Sequence, residues 1–163
     1  MIDLSSPFRG AGGILGLFET HLFVSDLERS IAYYQQFPGL EQCYYEEERR
    51  IAFFWIGKPK QAMLGLWEKP PSEIDIRHFA FSCSKEYILE EAVPFLKERH
   101  IRPYNFLNDG TERPIVFAWM PAISIYFDDP DGHSLEFISI LEGEARPDLG
   151  IVYYDEWNNP LPP

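Results

Sequence analysis

The sequence predicts an α+β chain of two βαβββ modules whose curved sheets enclose a cavity. Three observations predict it. A strand-length alternating stretch followed by a helical stretch occurs twice, at Phe18–Tyr34 and again from Ile76. Each helical stretch is followed by β-like runs, and Pro70-Pro71-Ser72 separates the two halves. One helix can cover only one face of one open sheet, so the other faces must meet something, most simply each other.

The elements follow in order. Residues 1–14 read as a loose leader with Gly10, Gly12 and Gly13 close together. Phe18, Thr20, Leu22 and Val24 alternate with Glu19, His21 and Phe23, which predicts a strand. Ser25-Asp26-Leu27-Glu28 has the S-x-x-E pattern of a capping box and opens a helix. Leu27, Ile31 and Tyr34 share its apolar face, and Pro38-Gly39 ends it. Strands are expected over 41–47, 51–56 and 62–67, with Gly57-Lys58-Pro59-Lys60 as a turn.

In the second half, 76–83 alternates as a strand and 86–99 reads as a helix. Pro94 inside that pattern should kink it or start a second short helix. A strand is expected over 103–107 and a polar loop over 108–113. The apolar run 114–121 reads as a strand or a lid. Runs 124–128 and 134–140 are strands joined by Pro130-Asp131-Gly132, which is hairpin chemistry. The expected organisation is a leader (1–14), a first module (15–70), a second module (71–141) and a tail (142–163). That tail combines prolines with Tyr153, Tyr154 and Trp157, a composition that seeks a surface to pack on. Sheet edges also need covering, so a homodimer is expected, with the tail at its interface or across the cavity mouth.

Composition excludes several functions. The 163 residues are 45% hydrophobic and 16% aromatic, too apolar for a disordered chain. With 14 Lys and Arg against 26 Asp and Glu, the formal net charge is -12, which argues against nucleic acid or an anionic membrane surface as partner. Charges or prolines interrupt every apolar run, so no membrane span is expected. Met1-Ile2-Asp3-Leu4 lacks the basic start and apolar run of a signal peptide, so the expectation is a cytoplasmic protein. Cys43 and Cys83 do not make a disulfide framework and are expected as two buried thiols.

The polar residues on the strands suggest chemistry. His21 alternates away from Leu22 and Val24, His78 from Phe79 and Phe81, and Glu136 from Leu135 and Phe137. If the apolar faces pack on the helices, all three point to the enclosed side. Two imidazoles and a carboxylate form a facial ligand set with open positions for water or substrate. Such a set suits Fe, Mn, Zn or Ni, and spacing does not choose among them. His133 in a turn and His100 at a helix end are expected to be solvated or capping. Glu46, Glu47 and Glu48 read as a solvated hairpin.

The runs THLFVSDLERSIAYY, RHFAFS and SIYFDDPDGHSLEF resemble the vicinal oxygen chelate superfamily, which includes glyoxalase I, fosfomycin-resistance enzymes, extradiol dioxygenases and bleomycin-binding proteins. The resemblance covers 18–141 and implies two βαβββ modules around a divalent metal, with His21, His78 and Glu136 as ligands. Glyoxalase I adds a fourth carboxylate at a place that falls on Gly65, and alternation turns Glu68 to the opposite face. Three ligands therefore remain. Ser124 and Tyr126 match an S-x-Y pattern that fosfomycin-resistance enzymes use to contact substrate, which implies a substrate-contacting and catalytic role for Tyr126. The Thr those enzymes carry two residues after the first His is Phe23 here, and their Arg beyond the Glu ligand has no clear counterpart. A phosphonate dianion needs several cationic donors. Phe23, Trp67, Trp119 and Met120 would instead line the cavity with apolar surface.

The expected function is that of a divalent-metal-dependent lyase, isomerase or addition enzyme. Its substrate would be a small, largely apolar, oxygen-bearing molecule, and Lewis-acid stabilisation of a developing oxyanion would drive the reaction. The alternatives are a non-catalytic protein that sequesters an antibiotic-like ligand, and an extradiol-type dioxygenase. Whether the site forms within one chain or across a dimer stays open.

Overall fold

The computed structural model describes residues 13–159. Most of the leader, including Gly10 and Gly12, and the terminal prolines Pro160, Pro162 and Pro163 lie outside the described residues. The chain divides into two compact units between Lys69 and Pro70.

The first unit holds β1 (Glu19–Val24), α1 (Leu27–Tyr34), β2 (Leu40–Glu46), β3 (Ile51–Ile56) and β4 (Met63–Glu68). Its sheet has the order β1-β4-β3-β2, with β1 parallel to β4 and the other pairs antiparallel. Helix α1 starts one residue later than the capping-box pattern predicts. Asp26, not Ser25, is the N-cap, and its carboxylate accepts the Arg29 amide at 2.9 Å. Glu28 is drawn off to Arg50, which it meets at 2.5 Å. Leu22, Val24, Ala52, Phe54, Leu64 and Leu66 are fully buried, as are Leu27 and Tyr34 of α1. The Tyr34 and Phe54 rings lie 6.3 Å apart, so this sheet face packs on the helix. The alternate residues of β1 and β4 are left on the open face.

The second unit holds β5 (His78–Ser82), a π turn (Tyr87–Glu91), α2 (Ala92–Glu98), β6 (Ile115–Phe117), β7 (Ala122–Asp128) and β8 (Ser134–Ile140), then β9 (Ile151–Tyr153) and α3 (Tyr154–Asn158). Its sheet order is β5-β8-β7-β6-β9. Strand β5 runs parallel to β8, and the remaining pairs are antiparallel. The π turn precedes Pro94, which is the third residue of α2. A wider turn there relieves the clash and the missing amide that proline brings to a helix interior. Phe127 and Phe137, with centroids 4.6 Å apart, form the core under this helical segment, and Tyr87 meets Phe137 edge-on at 5.4 Å.

Three expectations need correction: the strand over 103–107, the burial of Cys43 and the solvation of His133. Residues 103–107 do not form a strand; Tyr104 alone makes a bridge, exchanging two backbone hydrogen bonds with Tyr126. The tail does find a surface to pack on: it supplies β9, which pairs with β6 of its own unit, and Trp157 of α3 is buried. Cys43 is exposed and only Cys83 is partly buried. His133 is fully buried and not solvated: its Nδ1 accepts the Arg77 amide at 3.0 Å, pinning the β7–β8 turn to the start of β5. No helix among the described residues is long and apolar enough to cross a membrane.

Candidate functional site

In the first unit, β1 and β4 pair His21 with Gly65 and Phe23 with Trp67. The His21 ring sits over Gly65, flanked by Phe53 at 5.6 Å and Trp67 at 5.8 Å. A Cβ at Gly65 would lie 2.9 Å from both His21 Cδ2 and Phe53 Cε1, so glycine is what lets the imidazole lie flat there. His21 is partly exposed, and its Nε2 is 3.4 Å from Glu19 of the same strand face. Glu68 serves the other face: it accepts the Leu27 amide at 2.8 Å and binds Arg50.

In the second unit, the register pairs His78 with Ser134 across β5 and β8, and Tyr126 with Glu136 across β7 and β8. Nδ1 of His78 lies 2.9 Å from the Ser134 carbonyl oxygen. A carbonyl only accepts, so Nδ1 carries a proton, which leaves Nε2 as the nitrogen free to act as a ligand. Nε2 faces Glu136 Oε2 at 3.4 Å. Glu136 is buried, and no hydrogen bond reaches its Oε1. Burial holds its carboxyl above the ordinary carboxylate value, and the nearby Ser124 hydroxyl and His78 ring offset this only in part. Ser124 is likewise fully buried.

Two acceptors facing each other with an orphaned carboxylate oxygen fit a cation. Ligands each about 2.1 Å from one ion stand about 3.0–3.4 Å apart. The Ser134 carbonyl is the kind of outer partner that orients a ligating histidine. Among the described residues of this unit no third His, Cys, Asp or Glu joins the pair.

A cavity of about 380 Å³ opens beside His78, walled by Tyr104, Asn105, Phe106, Asn108, Tyr126 and Ser134. His78 stacks on Tyr126 at 5.7 Å, and Tyr126 on Tyr104 at 5.8 Å. The Tyr104 hydroxyl donates to Asp128 at 2.7 Å. Burial, then the Glu136 charge, pushes the Tyr126 phenol well above its usual value.

The sequence-predicted residues therefore fall into three groups. His21, Phe23 and Trp67 share the open face of the first sheet. His78, Ser124, Tyr126 and Glu136 gather on the second sheet. Trp119 and Met120 lie in the turn between β6 and β7, at the opposite end of β7 from Asp128 and Ser134, and neither lines the cavity. Sequence reasoning missed Tyr104, Asn105, Phe106 and Asn108. Their available signal was an aromatic pair beside two asparagines in a loop, which periodicity does not register.

The profile of the Glyoxalase/Bleomycin resistance protein/Dioxygenase superfamily matches residues 16–137. Among solved structures, the integron cassette protein HFX_CASS4, from the mobile metagenome of the Halifax Harbour sewage outfall, is 31% identical. The match covers 78% of this chain and 100% of that one, with a TM-score of 0.66. The fosfomycin resistance protein FosX from Listeria monocytogenes is 26% identical over 77% of this chain and 91% of its own, with a TM-score of 0.59. Lactoylglutathione lyase from Agrobacterium tumefaciens is 21% identical over 78% of this chain and 96% of its own, with a TM-score of 0.60, a likeness of fold. By its matched profile and its two helix-backed sheets, the chain belongs to the Glyoxalase/Bleomycin resistance protein/Dioxygenase superfamily.

Proposed function

We propose that this chain is a divalent-metal-dependent enzyme acting on a small, largely apolar, oxygen-bearing molecule. The observation that carries the reading is the facing of His78 Nε2 and Glu136 Oε2 at 3.4 Å, with the histidine tautomer set by the Ser134 carbonyl. His21 is the third ligand in this proposal. Fe, Mn, Zn and Ni all suit two imidazoles and a carboxylate. When bound, the metal supplies Lewis acidity toward a substrate oxygen.

The chain's own residues define the rest. Tyr104, Phe106 and Tyr126 give the cavity an aromatic wall on which an apolar substrate can pack. Tyr126, with its raised phenol value, stays protonated at neutral pH and is a hydrogen-bond donor for charge developing on a substrate oxygen. No Lys or Arg is among the lining residues, so a phosphonate dianion would meet no cationic side chain there. Lyase, isomerase and addition chemistry on a neutral substrate share these requirements. Among the described residues β1 pairs with β4 alone and β5 with β8 alone, and such edges support a homodimer.

The test is metal analysis of protein purified without chelators, followed by a screen of hemithioacetals, catechols and fosfomycin against metal-loaded protein. The parent is expected to hold about one divalent ion per chain, and His21→Ala, His78→Ala and Glu136→Ala are expected to lose it. Equal metal in His78→Ala and parent overturns the site.

A further inference from the structure

The matched profile ends at residue 137, yet the tail beyond it reaches the cavity wall through a continuous hydrogen-bonded path. Strand β9 places Tyr153 opposite Ile115, at the point where the loop before β6 enters the sheet. The Tyr153 hydroxyl donates to one carboxylate oxygen of Asp109. The other oxygen, Oδ1, accepts the Thr111 amide at 2.9 Å and the Asn105 side-chain amide at 3.1 Å. Asn105 is 1% exposed. Its Nδ2 also donates to Thr111 Oγ1 at 3.0 Å, and its Oδ1 accepts the Leu107 amide at 3.0 Å. Asn105, Phe106 and Asn108 are three of the residues that wall the cavity opposite His78. A second tie runs in parallel: the Arg113 guanidinium lies 3.6 Å over the Tyr153 ring and donates to Asp155 at 2.8 Å.

We propose that Tyr153 is a positioning residue for the cavity: through Asp109 and Asn105 it holds loop 105–113 and so sets where Phe106 and Asn108 stand against His78. The relevance to turnover rests on the functional reading above; the loop mechanics do not. Lys97 also meets Glu112 at 2.7 Å and Phe106 meets Phe117 edge-on at 5.5 Å, so the loop has further ties, but neither reaches Asp109 or Asn105. Asn108 sits at φ 51, in the left-handed region, and Phe106 is 58% exposed. A residue there kept in place by neighbours loses that conformation when they are removed. An aromatic wall that shifts changes substrate fit without touching the metal ligands.

The experiment uses the full chain and Tyr153→Phe, which keeps the ring under Arg113 and the β9 ladder but removes the hydroxyl. Backbone hydrogen exchange is followed residue by residue, with metal content and thermal midpoint measured on the same samples. The Leu107 and Thr111 amides are expected to exchange about tenfold faster, with the β7 and β8 amides, the melting midpoint and the metal content unchanged. Asp109→Asn should have the same effect, and the double variant should exchange no faster than Asp109→Asn alone, which identifies action through that carboxylate. Unchanged exchange at Leu107 and Thr111 overturns the proposal. Faster exchange spread through β7 and β8 with a lowered midpoint also overturns it, since Tyr153 is then only a stability element. A parent without metal defeats the functional reading and leaves the loop result standing.

Discussion

His21 lies over Gly65 so closely that a methyl group on the glycine would come within 2.9 Å of the imidazole Cδ2. The two are register partners in β1 and β4, and Phe53 closes the third side at the same distance. A Cβ there would require the His21 or the Phe53 ring to shift out of its place on the open face. Gly65→Ala should therefore destabilise the first unit by about 1–3 kcal/mol, the usual cost of overpacking. Urea denaturation measures it. An alanine variant as stable as the parent would show that His21 is free to swing away.

The same relationship bears on glyoxalase chemistry. By the resemblance, the fourth carboxylate of glyoxalase I would fall on Gly65, and Glu68 is held on the other face by Leu27 and Arg50. Isomerisation of the methylglyoxal–glutathione hemithioacetal should be absent or weak in metal-loaded protein. Steady-state assay of lactoylglutathione formation decides this, and robust turnover would refute the three-ligand reading.

The modular architecture was legible because it rests on period. Alternation at 18–24 and 76–83 and the apolar run 51–56 correspond to β1, β5 and β3, and Pro130-Asp131-Gly132 does turn β7 into β8, with Gly132 at φ 88. What escaped depends on long-range partners. Ser25 and Asp26 are both good caps; Asp26 takes the Arg29 amide, and Glu28, which a capping box would need, pairs with Arg50, 22 residues away. His133 is polar and in a turn, yet the Arg77 amide 56 residues away gives it a buried partner. Strand β9 has only three residues, too short for alternation to show, and exists because β6 offers an edge. In the site, strand parity put His78 and Glu136 on one face. The cavity wall at 104–108 comes from a loop whose position is set by Asn105 and Tyr126, which no local pattern encodes.

The Arg50 cluster predicts a pH dependence. Arg50 donates to Glu68 and Glu28, and Glu68 also accepts the first-turn amide of Leu27. The guanidinium, then that amide, holds the Glu68 carboxyl below its ordinary value of 4.5. A carboxyl lowered on folding stabilises the fold above the unfolded value, and that contribution is lost as pH falls through the folded value. Glu68→Gln should therefore cost about 1–2 kcal/mol at pH 7. The difference from the parent should shrink steadily below pH 4.5. Parallel stability curves for the two proteins from pH 7 to pH 3 would refute the assignment.

Removing the tail tests whether residues 142–163 belong to the second unit's own fold. Trp157 is 6% exposed, with the Arg146 guanidinium 3.8 Å over its ring and its indole 3.7 Å from where a Cβ on Gly143 would stand. Truncation after Leu141 deletes that cluster and also strips β9 from β6, exposing the unpaired edge Ile115–Phe117. Two separable effects are expected. Loss of the buried indole lowers stability by about 3–5 kcal/mol, and Trp157→Ala alone reproduces most of that loss. The bare β6 edge promotes association, seen as mass growth in light scattering, which Trp157→Ala does not reproduce because β9 stays in place. Adding a lysine to the exposed edge of the truncated chain should suppress the growth without restoring the melting temperature. A truncated chain with the parent's mass and stability would mean that the tail adds nothing to the fold.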